Sequence, residues 1–106
     1  MCKTAMNETK KSALPKVSLI MPFFNNKELV GKMIDSILAN TFEDWELLAI
    51  DDGSSVETLA YLSHYTADSR VKIIKRETTP KGAQTCRNLG MDHAQGQYWM
   101  FVDSDD

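Results

Sequence analysis

From Val17 onward, short apolar runs alternate with stretches in which apolar residues recur every three or four positions. Val17 to Met21 is a continuous apolar run closed by Pro22, the pattern of a strand buried on both faces. Leu29, Met33 and Ile37, each followed one residue on by Val30, Ile34 and Leu38, trace a helical stripe. They predict a helix from about Lys27 to Asn40, with Asn25 or Asn26 able to cap its start. Trp45 to Ile50 predicts a second strand, broken by the turn-forming run Asp51-Asp52-Gly53-Ser54-Ser55. A weaker helical stripe at Val56, Leu59, Leu62 and Tyr65 or Thr66 precedes a third strand, Val71 to Lys75. Gly82 opens a third helix with apolar positions at Ala83, Cys86, Leu89 or Gly90, and Ala94, and Gly96 ends it. The apolar run Tyr98 to Val102 predicts a fourth strand, also buried.

The order is therefore βαβαβαβ. Strands that alternate with helices pair in parallel through right-handed crossovers, and helices cover the sheet. In such sheets the ligand crevice lies beyond the carboxyl ends of the strands. Pro22 to Asn26, Asp51 to Ser55, Glu77 to Gly82 and Asp103 to Asp106 each follow a strand, so the four loops are expected on one rim.

Composition narrows the class. A chain of 106 residues has room for one domain, and 42% hydrophobic with 25% charged residues describes a globular chain. Met1 to Pro15 lacks apolar periodicity and reads as a flexible leader, leaving residues 16–106 as the folded part. The leader has no apolar core of the length a signal peptide needs, and no stretch approaches the roughly 20 apolar residues of a membrane span. Cys2 and Cys86 form no framework spacing, so both are read as free thiols in a reducing compartment, which places the chain in the cytoplasm or at the membrane periphery. A net charge of -3 without a basic stripe argues against a nucleic-acid polymer as partner.

The chemistry gathers in the rim loops. Asp51-Asp52-Gly53-Ser54 would serve as an ordinary strand-to-helix turn, but a turn needs only one carboxylate. The second can accept hydrogen bonds from a base or ribose, and Asp52 is the choice for that contact, with Asp51 bracing the loop. Asp103-Ser104-Asp105-Asp106 could be a solvated acidic run. It abuts a strand, however, and paired carboxylates there suit a hard divalent cation such as Mg²⁺ or Mn²⁺. Asp105 is the favoured ligand, while Asp103 could share the ion or hold a ribose. Arg87 would be a surface residue by default; its guanidinium fork also matches a diphosphate in geometry and charge, with Lys81 and Gln84 as weaker versions of the same idea. His64 and His93 have no partners at metal-binding spacing.

Together, Val17-Ser-Leu-Ile-Met-Pro-Phe-Phe-Asn25, Asp51-Asp-Gly-Ser54, Gly82-x-x-x-x-Arg87-Asn-x-Gly90 and Gly96-Gln-Tyr-x-x-Phe-x-Asp-Ser-Asp-Asp106 resemble family 2 glycosyltransferases from about Lys16 to the last residue. The resemblance implies a Rossmann-like parallel sheet of the GT-A type, here its nucleotide-sugar half, truncated after the fourth strand. It further implies a nucleoside diphosphate sugar as donor, most often UDP-linked, inverting transfer to a glycan or lipid acceptor, and Mn²⁺ or Mg²⁺ as cofactor. By the same resemblance Phe24 holds the place of a ring stacked near the base, Asp52 that of the carboxylate on the base, and Arg87 a place near the base or phosphates. Pro22 and Asn25 belong to the same first-strand loop and complete the nucleotide contacts with Asp103. Asp103 and Asp105 match the Asp-x-Asp metal motif. The general base is expected beyond Asp106, so no residue here is its equivalent, and the outer edge of the fourth strand is expected to be open and prone to self-association.

The rival reading is a binding module that holds a nucleotide in the same crevice without chemistry. Paired metal ligands favour the enzyme, because simple retention does not need them. A phosphorylated receiver domain would need a Lys and Asp pairing that is not clearly supplied, and no Gly-x-Gly-x-x-Gly follows the first strand to suggest a dinucleotide fold.

Overall fold

The structure is a computed structural model that describes residues 15–77 and 81–103. The leader up to residue 14, the middle of the loop before the third helix, and the acidic residues Asp105 and Asp106 lie outside the described residues. Strands β1 (Val17–Phe23), β2 (Trp45–Asp51), β3 (Val71–Lys75) and β4 (Tyr98–Phe101) alternate with helices α1 (Lys27–Leu38), α2 (Val56–Ser63) and α3 (Ala83–His93). A single 3₁₀ turn, His64–Ala67, extends α2. Among the described residues all pairings are parallel and the sheet order is β3-β2-β1-β4.

Strand alternation divides the core into two layers. Met21 and Phe23 of β1 and Trp45, Leu47 and Ala49 of β2 pack with Val30 and Ile34 of α1 and Leu62 of α2. Ile20, Leu48 and Ile50 face the other way, against Cys86 of α3. Covered on both faces, β2 is buried at every position, which is why it reads as an unbroken apolar run. Helix α3 lies close enough to β1 that a Cβ on Gly90 would fall 2.4 Å from Ile20 Cγ2.

Four sequence expectations need correction. First, β1 does not end at Pro22 but runs through it to Phe23. Ile20 C=O accepts from Val102 N–H on the β4 side, and Phe23 C=O accepts from Asp52 N–H on the β2 side. Pro22 thus faces the β4 side beyond its last paired residue, where a missing N–H breaks no ladder bond. Second, neither asparagine caps α1 with its side chain: Asn25 and Asn26 have φ of 52° and 59°, a left-handed pair that Asn tolerates better than most residues. Third, α3 ends at His93, before Gly96. Gly96 serves close approach instead, since a Cβ there would lie 2.7 Å from Ser18 Oγ. Fourth, β4 is not buried. Tyr98, Trp99, Met100 and Phe101 are 61%, 55%, 56% and 48% exposed, because β4 pairs with β1 on one side and has no strand neighbour on the other among the described residues. An apolar run carries no mark of whether one or both of its edges are paired.

Candidate nucleotide site

Because the strands are parallel, the segments after β1, β2, β3 and β4 open on one rim. A cavity of about 310 Å³ lies there, lined by Pro22, Phe24, Asp52, Arg87 and Asp103, with Phe23, Asn26 and Ala83. Five of the six residues expected at a nucleotide thus share one cavity. Asn25 does not: its Oδ1 accepts from Ser55 N–H at 2.9 Å and Thr58 Oγ1 at 3.3 Å, and its own N–H donates to Ser54 Oγ at 2.7 Å. The left-handed turn at Asn25 aims the amide into the next loop, so its work is to tie the first rim loop to the N-terminus of α2. Asp105, the favoured metal ligand, lies outside the described residues.

The paired aspartates divide their roles by position. Asp51 ends β2, and its Oδ1 accepts from Gly53 N–H at 3.2 Å and Ser54 N–H at 2.7 Å, bracing the turn. Gly53 takes φ 107° there, a conformation other residues rarely adopt. Ser55 then caps α2 by accepting from Thr58 N–H at 3.2 Å. Asp52, one residue on, turns toward the cavity with a side chain 12% exposed. Its Oδ1 accepts from Arg76 Nε and from Gly82 N–H at 3.2 Å, while Lys81 Nζ stands 3.8 Å from Oδ2. Burial pushes the Asp52 carboxyl up, but hydrogen bonds from Gly82, Arg76 and the Cys86 thiol, with the Arg76 charge, outweigh it and hold it below the usual carboxylate value. Cys86, buried and facing that carboxylate, is pushed up to about 11 and stays a protonated donor.

The cavity wall is aromatic and cationic. The half-exposed Phe24 ring carries Lys81 Nζ 3.9 Å from its centroid. Arg87 lies with its guanidinium carbon 5.7 Å from the Phe101 ring centroid and Nη2 3.7 Å from Asp103 Oδ1. That pair is solvent-exposed enough to rearrange around an anion at small cost. Asp103 offers a hard oxygen donor at the mouth, the kind Mg²⁺ or Mn²⁺ takes. No group of three or more His, Cys, Asp or Glu able to hold a metal occurs among the described residues.

Sequence reasoning missed Arg76 and the Cys86 contact. Arg76 follows β3 directly and so sits on the same rim as the aspartates; the topology that singled out Asp52 could have singled it out too.

A parallel α/β sheet carries its ligand crevice beyond the carboxyl ends of its strands, and the aromatic, cationic and carboxylate-lined cavity lies there. The profile of Glycosyl transferase family 2 matches residues 18–106. The chain belongs to that family, and its sheet has the GT-A type of fold. Among curated relatives, it is 40% identical over 90 residues to the UDP-Glc:alpha-D-GlcNAc-diphosphoundecaprenol beta-1,3-glucosyltransferase of Escherichia coli, covering 85% of this chain and 35% of that one. It is 35% identical over 94 residues to the GalNAc(5)-diNAcBac-PP-undecaprenol beta-1,3-glucosyltransferase of Campylobacter jejuni, covering 88% and 30%. The chain thus spans about a third of the length of these relatives. The crystal structure of S. aureus TarS 1-349 in complex with UDP-GlcNAc superposes with a TM-score of 0.77 at 29% identity, over 85% of this chain and 26% of that one. A mannosyltransferase from Pyrobaculum calidifontis, in complex with GDP-Man and Mn²⁺, shares the fold at a TM-score of 0.76 and 23% identity, over 87% and 28%. No helix among the described residues is long and apolar enough to cross a membrane.

Proposed function

We propose that the rim cavity binds the nucleoside diphosphate end of an activated sugar, a UDP-sugar, in a protein that transfers the sugar with inversion to a glycan or lipid-linked acceptor. The observation that carries this reading is the convergence of Phe24, Asp52, Arg87 and Asp103 from separate elements on one cavity, in a chain whose relatives are named glucosyltransferases. At about 310 Å³ the cavity is at the lower end of the roughly 300 to 1,000 Å³ of ligand pockets, the size for a nucleoside rather than for donor and acceptor together. The base stacks on Phe24 and gives an N–H to Asp52, and Arg87 turns from Asp103 to the diphosphate. Asp103, with Asp105, would hold Mn²⁺ or Mg²⁺ there. When bound, the cation stabilises the charge that builds on the leaving nucleoside diphosphate. The chain's own residues anchor the base, orient the diphosphate and lower its repulsion with the carboxylate rim. No described residue of the cavity is assigned to removing the acceptor proton.

The test is calorimetric titration of UDP with and without Mn²⁺, on the chain and on Asp105→Asn. Binding that tightens with Mn²⁺, and loses most of that gain in the variant, is the expected result. UDP binding indifferent to both would leave a nucleotide-binding module and remove the metal role of Asp103 and Asp105; absence of UDP binding would remove the reading of the cavity.

A further inference from the structure

The two groups that would grip a base, Asp52 and Phe24, are held by different means. Asp52 is fixed by its own side chain, whose Oδ1 accepts from Arg76 Nε and from Gly82 N–H at 3.2 Å. Phe24 is half-exposed and belongs to neither layer of the core, and Lys81, the cation over its ring, is itself exposed. The ring therefore takes its direction from the backbone on either side of it. That backbone is stitched to the second rim loop. Before the ring, Phe23 C=O accepts from Asp52 N–H at 2.9 Å. After it, Asn25 N–H donates to Ser54 Oγ at 2.7 Å, and Asn25 Oδ1 accepts from Ser55 N–H at 2.9 Å and Thr58 Oγ1 at 3.3 Å. The stitch needs the left-handed pair at Asn25 and Asn26, with φ of 52° and 59°. Outside glycine such a conformation costs free energy, persists only where its surroundings over-determine it, and gathers at ligand clamps.

We propose that Asn25 is a positioning residue for nucleotide binding: it holds the Phe24 ring at the tilt toward Asp52 that lets one base stack and donate a hydrogen bond at once. This inference rests on the proposed nucleotide role of the cavity. A base is flat and rigid, and its N–H lies in its own plane, so the tilt of the ring it stacks on decides where that N–H points. A tilted ring turns the N–H away from the carboxylate, and hydrogen bonds weaken steeply once misaligned. Asn25 does not line the cavity and acts through its neighbour. It meets two demands together: its backbone tolerates the left-handed region, and its amide oxygen accepts from two donors at the start of α2. Glycine would meet only the first demand, and aspartate both.

The experiment titrates UDP by calorimetry into the wild-type chain, Asn25→Gly, Asn25→Asp, Phe24→Ala and the double variant Phe24→Ala with Asn25→Gly, with circular dichroism to confirm folding. Phe24→Ala removes the stack and should weaken UDP by roughly 5- to 50-fold. Asn25→Gly keeps the backbone conformation and loses the acceptor, and should forfeit part of that stack, about 5- to 10-fold. Asn25→Asp restores the acceptor and should bind within about 2-fold of wild type. The decisive reading is the cycle. With the ring already gone, Asn25→Gly should change UDP affinity by less than about 2-fold, because Asp52 stays held by Arg76 and Gly82. A merely structural role would instead weaken binding by the same factor in both backgrounds. Ser54→Ala removes the acceptor of the Asn25 N–H and, taken through the same cycle, decides the matter if Asn25→Gly does not fold. A folded Asn25→Gly that binds like wild type, or equal losses with and without the ring, overturns the role of Asn25 and leaves the nucleotide reading standing. A wild type that does not bind UDP overturns both.

Discussion

Two buried carboxylates stand at opposite ends of β2, Glu46 in its second position and Asp52 one residue past its last, and they are built alike. Glu46 accepts from Ser18 Oγ at 2.6 Å, from Gln95 N–H at 2.7 Å and from Lys72 Nζ at 3.1 Å. Asp52 accepts from Gly82 N–H at 3.2 Å and from Arg76 Nε. Each thus takes one backbone N–H and one cation, and the two backbone donors flank α3, Gly82 before it and Gln95 after it. The pair clamps α3 to the sheet at both ends. Glu46 has a side chain 3% exposed, and the polar hollow of about 250 Å³ beside it has its cations engaged, Lys72 with Glu46 and Arg70 with Asp68 at 2.8 Å. Asp52 instead shares its cavity with an exposed ring and a loosely held Arg87. Burial and a lowered pKa are common to both carboxylates; what sets Asp52 apart is the open cavity and the groups that share it.

The largest way to break this comparison is to remove the sealed carboxylate. Glu46→Ala strands the buried Ser18 hydroxyl hydrogen and takes the acceptor from the part-buried Gln95 N–H, and urea denaturation should show a loss of about 2–3 kcal/mol. For a chain of this size that is a large share of the total. Asp52→Asn should differ in kind. The amide oxygen can still take Arg76 and Gly82, so stability falls by about 1 kcal/mol, while UDP affinity drops by roughly 10- to 100-fold. Denaturation and calorimetry on both variants separate the two ends. Equal stability losses with no change in binding for Asp52→Asn would make both carboxylates structural.

A smaller effect appears on the acid side. Burial alone would raise the Glu46 carboxyl, yet Ser18, Gln95 and Lys72 together hold it below its ordinary 4.5, as Gly82, Arg76 and Cys86 hold Asp52 below 3.8. Because both folded values lie under the unfolded ones, the stabilisation is complete above those ordinary values and is lost as pH falls through the lowered ones. Unfolding free energy should be flat near neutrality and decline below about pH 4.5. Glu46→Gln should flatten part of that decline, and saturating UDP should shift only the part belonging to Asp52.

The comparison also shows what a sequence carries. The rim was legible because it follows from period and topology: alternating strand and helix patterns force the four loops to one side, and the split between Asp51 and Asp52 follows because a turn needs one carboxylate. Contacts between distant residues were not legible. Glu46 meets a backbone donor 49 positions away, and Asp52 meets Arg76 across 24, distances over which no local pattern speaks. Asn25 was misplaced because its left-handed backbone, which aims the side chain, is invisible in a residue type common at caps. The apolar run missed the exposure of β4, since hydrophobicity reports an affinity for burial without naming the surface that provides it, while the family resemblance had already implied an open outer edge.

The finest contrast lies in the two lysines, each half-exposed. Lys72 approaches Glu46 at 3.1 Å, as one of three donors to a carboxylate that is otherwise sealed. Water can reach the ammonium, so Lys72→Gln should cost no more than about 1 kcal/mol in denaturation and leave UDP binding unchanged. Lys81 stands 3.8 Å from Asp52 Oδ2 and 3.9 Å from the Phe24 ring centroid, too far from the carboxylate to hold it but between the two groups that would grip a base. Lys81→Gln should therefore leave stability within about 0.5 kcal/mol of wild type. UDP affinity should fall by about 2- to 5-fold, the scale of an exposed cation contact. The ratio matters more than either value: a Lys72 variant that weakens UDP as much as the Lys81 variant would show that charge acts on the ligand through the field of the whole chain, and the distinction between the two ends of β2 would lose its local basis.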